Sequence, residues 1–303
     1  MAEQTLVSVI MNCFNGEKYL REAIDSVLAQ TYQNWELIFW DNQSTDASAQ
    51  LVKGYNDPRI RYFYATKHIL LYESRNLAIE QSKGEFLAFL DVDDWWEANK
   101  MEKQVHTLND PEVGLVCSNY EVHYTLFGYR HQAWKKPMPS GYIIKELLNF
   151  YHIGLLTIML RRKNYNLLGG FDRRFHIIGD FDLSLRLAEK WKVVSDANVL
   201  AHYRLHEENE TGKNQSLQIS ELKIWLKEAM KRDQIASEPA LKYFAKQIDF
   251  MNAQHALTRG DIVKFLHELI NLFPSTLFMK LLIKVCLPDT WFNQLRMWMY
   301  RSH

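Results

Sequence analysis

The chain has 303 residues, 47% of them hydrophobic, and its 36 Lys+Arg balance 36 Asp+Glu to a formal charge of zero. That composition excludes disorder as the dominant state and is ample for a sizeable core. With no global positive field, nucleic acid is not expected as a partner. Cys13, Cys117 and Cys286 lie far apart without metal-ligand spacing, against a disulfide framework or a cysteine zinc site and in favour of a reducing compartment. The start, Met1-Ala2-Glu3-Gln4-Thr5, lacks the basic and apolar runs of a secretory leader. The longest charge-free run, Leu147 to Leu160, is 14 residues, against roughly 18 or more for a bilayer span. A cytoplasmic location is expected.

Along the chain, short apolar runs first alternate with helical patterns. Leu6 to Met11 reads as a strand, and Tyr19, Leu20, Ala23, Ile24, Val27 and Leu28 then draw one apolar helix face before a second strand at Glu36 to Trp40. This is a β-α-β unit. Ser44 to Asn56 is the next helix, Ile60 to Tyr64 the next strand, and Ser74 to Ser82, Glu85 to Leu90, Glu97 to Leu108 and Val113 to Cys117 continue the alternation. Such order predicts an α/β fold with a mostly parallel sheet flanked by helices. LVSVIM and FLAFL are apolar throughout, as strands buried on both faces should be. Tyr120 to His131, with Tyr124, Phe127 and Tyr129, reads as a hairpin on an acceptor side.

After the polar stretch Glu207 to Ser216 the pattern becomes helical, over Leu217 to Ile235, Ala240 to Thr258, Ile262 to Leu272, Ser275 to Cys286 and Trp291 to Tyr300. The end of this tail interleaves Lys280, Lys284, Arg296 and Arg301 with Phe273, Phe278, Trp291, Phe292, Trp298 and Tyr300, against Asp289 alone. Two readings stand: peripheral contact with an anionic membrane surface, or a small aromatic core of the tail itself.

In an open parallel sheet, ligands collect beyond the carboxyl ends of the strands. Those ends carry Asn12-Cys13-Phe14-Asn15-Gly16, Asp41-Asn42-Gln43-Ser44-Thr45-Asp46 and Asp91-Val92-Asp93-Asp94-Trp95-Trp96. Neither GxGxxG nor GxxxxGK[ST] is present, so the crevice is not the usual dinucleotide site or a P-loop. Three carboxylates within four residues repel, a pair about 4 Å apart costing about 4 kcal/mol at an effective dielectric near 20. A hard divalent cation would offset that. The plainer alternative makes Asp91 and Asp94 helix caps, Asp41 a cap for the helix near Ser44, and Phe14 a core ring. Together, a flat ring, a carboxylate able to accept a base N–H, and a metal site describe a nucleoside diphosphate.

These residues resemble a family. SVIMNCFNGEKYLREAIDSVLAQTYQNWELIFWDNQSTD, then SRNLAIEQSKGEFLAFLDVDDWWEANKMEKQ, then GGFDRRFHIIGDFDLSLRLAEKW, resemble the family-2 glycosyltransferases of GT-A fold, over roughly residues 5 to 210. The resemblance implies a GT-A domain at 1–215 with a helical region at 216–303, and an inverting transfer from a UDP-sugar with Mn²⁺ or Mg²⁺. It implies Asp93 as metal ligand, Asp91 near the ribose, and Phe14 and Asp41 on the base within a donor-binding set that includes Asn12 and Asn15. Arg75 falls near the nucleotide, and His206 where relatives hold the diphosphate or metal. Asp180 aligns with the carboxylate base; the alternative is an N-cap. One of Trp95 and Trp96 would stack on the acceptor sugar while the other packs in the core.

The chain also departs from the family. Gly179 stands where Glu is usual, Asn12 where Pro or Thr is common, and Asn42 where a second Asp is common. The expected activity is transfer of a sugar to a hydroxyl of a saccharide acceptor, lipid-linked if the tail lies on the inner face of a membrane. A sugar nucleotidyltransferase is the second enzymatic reading, disfavoured because Asn12 to Gly16 offers one glycine. A non-catalytic saccharide- or nucleotide-binding subunit is the third, and Gly179 is the feature in its favour.

Overall fold

The computed structural model describes residues 5–126, 128–207, 209–273, 275–279 and 281. It divides into two compact units, Met1–Asn209 and Glu210–His303. In the first, β1 (Val7–Cys13) leads through α1 (Leu20–Leu28) to β2 (Trp35–Asp41), then α2 (Ser48–Lys53), β3 (Ile60–Tyr64), α3 (Leu71–Glu80) and β4 (Phe86–Phe89). There follow β5 (Trp95–Trp96), α4 (Lys100–Leu108), β6 (Val113–Tyr124), β7 (Tyr129–Gln132), α5 (Ile144–Asn149), β8 (Met159–Arg161), α6 (Arg162–Leu167), α7 (Gly179–Ala188) and β9 (Lys192–Leu205).

The sheet runs β3-β2-β1-β4-β8-β6-β9-β5, with β7 pairing to β6. Its first four strands are parallel, joined by the helical crossovers that parallel pairing requires. β1, β2 and β4 are buried at every residue and mostly apolar, and buried Ser8 of β1 donates to Glu36 of β2. On α1, Leu20, Ala23, Ile24 and Val27 are fully buried against this sheet, each large side chain contributing about 1.5–3 kcal/mol of burial.

Beyond β4 the order changes. Short β8 inserts antiparallel between β4 and β6, and long β9 runs parallel to β6 with register shifts around Ser118, Asn119 and Tyr120. Those irregularities keep β9 paired while it bends to reach β5, where Trp95 faces His202. The predicted hairpin between β6 and β7 forms from Glu121 to Gln132, but Phe127 lies outside the described residues. Cys13 and Cys117 are buried free thiols; Cys286 lies outside the described residues.

The second unit contains α8 (Glu210–Lys213), α9 (Gln215–Ala229), α10 (Asp233–Ala236), α11 (Pro239–Thr258) and α12 (Ile262–Leu272). The single helix expected over Leu217 to Ile235 is broken after Ala229, at Arg232, whose backbone is extended. Pro239 opens α11, where its missing N–H costs nothing. Ala253, Ala256, Phe265, Leu272, Leu277 and Leu281 form a core here, with Phe278 packed against it. The remainder of the predicted tail, including Lys280, Lys284, Asp289, Trp291, Phe292, Arg296, Trp298, Tyr300 and Arg301, lies outside the described residues. Among the described residues no helix is long and apolar enough to cross a membrane.

Candidate active site

At the carboxyl ends of β1 and β2, Cys13 pairs with Asp41. Phe14 is 53% exposed, its ring 4.4 Å from that of His68 at 63°, so it is a surface ring rather than a core one. Asn15 has φ +55°, a conformation Asn tolerates better than most side chains. Its Oδ1 accepts the Thr45 N–H at 2.8 Å, tying the two strand-end loops together. Asn12, buried, donates from Nδ2 to Ser74 Oγ of α3 at 2.9 Å.

Asp41 has no exposed surface. Its Oδ1 takes the Ser44 N–H at 2.7 Å and its Oδ2 the Tyr62 hydroxyl at 2.7 Å. The carboxylate therefore stiffens this wall of the crevice, and the alternative of a capping group for the turn at Ser44 describes its contacts. Asn42 uses both ends of its amide on Ile69, at 2.8 Å and 3.3 Å, fastening the loop that carries His68. A second Asp could accept there but could not donate.

Each carboxylate of the acidic cluster has its own partners. Asp91 Oδ1 lies 2.5 Å from Nη2 of Arg75, which is buried. Asp93 Oδ2 lies 2.9 Å from His206 Nε2, just past the end of β9, and takes Asn209 Nδ2 at 3.3 Å. Asp94, buried, accepts the Arg204 N–H at 2.9 Å. Burial above all, and then Asp93 and Asp91, push its carboxyl well above the usual carboxylate range. The Arg75 charge eases the repulsion at Asp91, and burial disfavours the charged form of Asp94. Asp93 and His206 fit a divalent ion, offering an oxygen and a nitrogen side by side.

Asp180 sits in the first turn of α7, where the helix dipole favours an anion. Its Oδ1 accepts the Tyr72 hydroxyl at 2.7 Å. Burial pushes the Asp180 carboxyl above the ordinary carboxylate range, against the lowering pull of Tyr72 and of the Arg75 charge. Tyr72 and Arg75 are one turn apart on α3, and the guanidinium lies 4.9 Å from the Tyr72 ring centre. Arg75 therefore links Asp91 to the surroundings of Asp180. Asp182 plays a different part: paired to Arg186 at 2.6 Å, it is buried, and Arg186 also holds the Leu168 and Gly170 carbonyls.

The departure at Gly179 has a steric cause. A Cβ on Gly179 would stand 2.5 Å from Cγ and Cδ2 of Tyr72. The tyrosine ring lies flat against the glycine, so no side chain fits at 179 while Tyr72 holds Asp180.

Of the two tryptophans, Trp96 belongs to the core: it is 4% exposed, donates from Nε1 to the Leu156 carbonyl at 2.8 Å, and carries the Lys100 ammonium 4.1 Å from its ring centre. It is not available to an acceptor sugar, because adjacent residues of a strand point to opposite faces and Trp96 takes the inner one. Trp95, half-buried, stacks on His202 at 4.9 Å and 9° and carries Arg204 at 4.5 Å. Sequence reasoning missed Tyr72, Arg204 and Asn209. Tyr72 looks like one more apolar position of a helix face, and only its spacing of three from Arg75 hinted otherwise.

Comparison with known proteins follows the same lines. The model of glycosyl transferase family 2 matches residues 8–168, more than half of the chain. WfgD of Escherichia coli, a UDP-Glc:alpha-D-GlcNAc-diphosphoundecaprenol beta-1,3-glucosyltransferase, is 35% identical over 161 residues, which cover 53% of this chain and 62% of WfgD. The chain thus spans less than two thirds of that relative. EpsE of Bacillus subtilis, assigned as a glycosyltransferase, is 33% identical over 189 residues, 61% of this chain and 67% of its own. The fold is similar to that of S. aureus TarS 1-349 in complex with UDP-GlcNAc, with TM-score 0.70 and 16% identity over 88% of this chain and 80% of that one. It is also similar to mannosyltransferase PcManGT from Pyrobaculum calidifontis in complex with GDP-Man and Mn²⁺, with TM-score 0.67 and 17% identity over 99% and 85%. Both likenesses are of fold, the GT-A arrangement. With the motifs at its strand ends, the sheet order and the family match in agreement, the chain belongs to glycosyl transferase family 2.

Proposed function

We propose that the chain is an inverting, metal-dependent glycosyltransferase that moves a sugar from a UDP-sugar to a hydroxyl of a saccharide acceptor in polysaccharide or glycan synthesis. The observation that carries this is the Asp180–Tyr72 pair beside Arg75, itself bonded to Asp91: a carboxylate oriented by the Tyr72 hydroxyl, next to a buried cation that reaches the acidic strand end. With Tyr72 orienting it, the Asp180 carboxylate takes the acceptor proton. The acceptor oxygen forms its bond to the anomeric carbon as the bond to the diphosphate oxygen breaks, and that oxygen leaves with the electron pair. One carboxylate suffices for such a single displacement, and inversion follows from it. Asp93 and His206, with Asp91, would hold Mn²⁺ or Mg²⁺, which when bound supplies charge stabilisation to the leaving diphosphate. Phe14 offers its open face to the uracil, while Asn12, Asn15 and Asp41 shape the donor pocket. Trp95 borders the acceptor side.

The names of WfgD and the TarS complex, both carrying UDP, support the donor class. WfgD's diphosphoundecaprenol acceptor supports a lipid-linked one, as does the outer face of α12, where Ile262, Val263, Leu266 and Ile270 are exposed. An apolar stripe of this kind suits peripheral contact with the inner face of a membrane. Val263→Glu with Ile270→Glu should then release the full chain from anionic liposomes in flotation, and unchanged flotation would dismiss the contact. The Tyr72 ring against Gly179 favours the catalytic reading over a binding-only subunit, since the missing Glu is replaced by a donor to Asp180.

Asp180→Asn should abolish transfer and leave UDP binding nearly intact; full activity in that variant would remove Asp180 from the reaction. EDTA should stop turnover and Mn²⁺ or Mg²⁺ restore it, and undiminished turnover in chelator would remove the metal.

A further inference from the structure

We infer that Glu121, His123 and His202 form a second metal site, for a borderline divalent ion such as Zn²⁺, separate from the acidic strand end. Glu121 and His123 project from one face of β6, two residues apart, and His202 is the register partner of Glu121 on β9. Their ligand atoms make a small triangle: Glu121 Oε2 to His123 Nε2 2.9 Å, His123 Nε2 to His202 Nδ1 3.2 Å, His202 Nδ1 to Glu121 Oε2 3.8 Å. Ligands at about 2.0–2.1 Å from a tetrahedral ion stand about 3.3 Å from one another, the average size of this triangle.

Proton accounting points the same way. His202 Nε2 lies 2.8 Å from Glu97 Oε1, so the ring's proton belongs there and Nδ1 presents a lone pair. His123 Nε2 carries at most one hydrogen but faces two acceptors, His202 Nδ1 and Glu121 Oε2. A cation would satisfy all three atoms at once. The Glu97–His202 contact is also the carboxylate–histidine support that metal-binding imidazoles commonly have. Trp95 holds both rings in place, stacked on His202 and edge-on to His123 at 4.7 Å. Arg130, 3.6 Å from Glu121, is 71% exposed and free to turn into solvent.

The three side chains keep partial exposure, so an ion can enter and water can take the fourth position. Two imidazoles and one carboxylate select Zn²⁺ over Mg²⁺. Asp93 has its own partner in His206, so the two sites share no ligand. Nothing in this inference depends on the direction or chemistry of sugar transfer.

The test is Zn²⁺ titration of the full chain, stripped with chelator and then held in excess Mg²⁺, followed by calorimetry and by the visible spectrum of a Co²⁺ substitute. One equivalent of Zn²⁺ per chain is expected, with an intense tetrahedral Co²⁺ spectrum. Asp93→Asn should keep that equivalent, while His123→Ala and Glu121→Gln should lose it. Glu97→Ala should weaken it about 10- to 100-fold, as loss of a supporting carboxylate does. Far-UV circular dichroism confirms that each variant is folded, and the Co²⁺ spectrum of the unaltered chain reports on the site without any substitution. Absence of a stoichiometric ion, an octahedral spectrum, or unchanged Zn²⁺ affinity in folded His123→Ala would each overturn the site.

Discussion

Tyr72→Phe isolates the hydroxyl that orients Asp180. The ring, its stacking 5.0 Å from Phe171 and its contact with Gly179 survive the change; the 2.7 Å bond to Asp180 Oδ1 does not. A hydrogen bond to a charged group contributes about 1.5–3 kcal/mol net. Its loss pushes the Asp180 carboxyl further up, on top of the rise that burial already causes, and about 1.36 kcal/mol corresponds to one pH unit in the titration. The sign is fixed: a base must be unprotonated, so activity is lost as pH falls through that titration. The acid limb of kcat/KM in Tyr72→Phe should therefore move to higher pH by about one to two units. Transfer to acceptor, measured from pH 4 to 9 with saturating Mn²⁺, reads the limb directly. If the variant loses activity uniformly with the limb unmoved, Tyr72 does not act through Asp180 and the argument fails.

Gly179→Ala brings a methyl to 2.5 Å from the Tyr72 ring and forces the ring away. It should cost about 1–3 kcal/mol of stability by overpacking and lower turnover; in a Tyr72→Ala background the stability cost should vanish, and its persistence would place the strain elsewhere. Asp94→Asn keeps an oxygen for the Arg204 N–H and removes a charge that the fold disfavours. Because burial holds the folded carboxyl above the ordinary carboxylate range, ionisation penalises the native state only above that range. The variant should melt higher at neutral pH in EDTA and equal the parent near pH 3. A lower melting temperature at neutral pH would show that Asp94 is ionised and useful there.

The parallel half of the sheet was legible because its signal is local: strands buried on both faces must be apolar throughout, and the polar residues that follow them mark the crevice. β8 and β9 were not. Met159–Arg161 is too short for a pattern, and Lys192–Leu205 mixes exposed and buried positions, paired to β6 along its length but to β5 only at Ala201 and His202. The break after Ala229 likewise follows from backbone at Arg232 that no proline or glycine announces.

The site shows the same division between local and distant causes. DVDD predicts a crowd of charge but not what relieves it, because Arg75, His206 and Arg204 come from other elements. Gly179 is the converse case. Read alone it is a missing catalytic residue; read with Tyr72 it is one half of an exchange, in which a ring from α3 enters the space a Glu side chain would fill and brings a hydroxyl to the same carboxylate. An exchange across 107 positions leaves no trace in the spacing of either residue, yet it predicts that neither half tolerates reversion alone. Gly179→Glu should be severely impaired with Tyr72 in place, and regain function only where Tyr72 is made small.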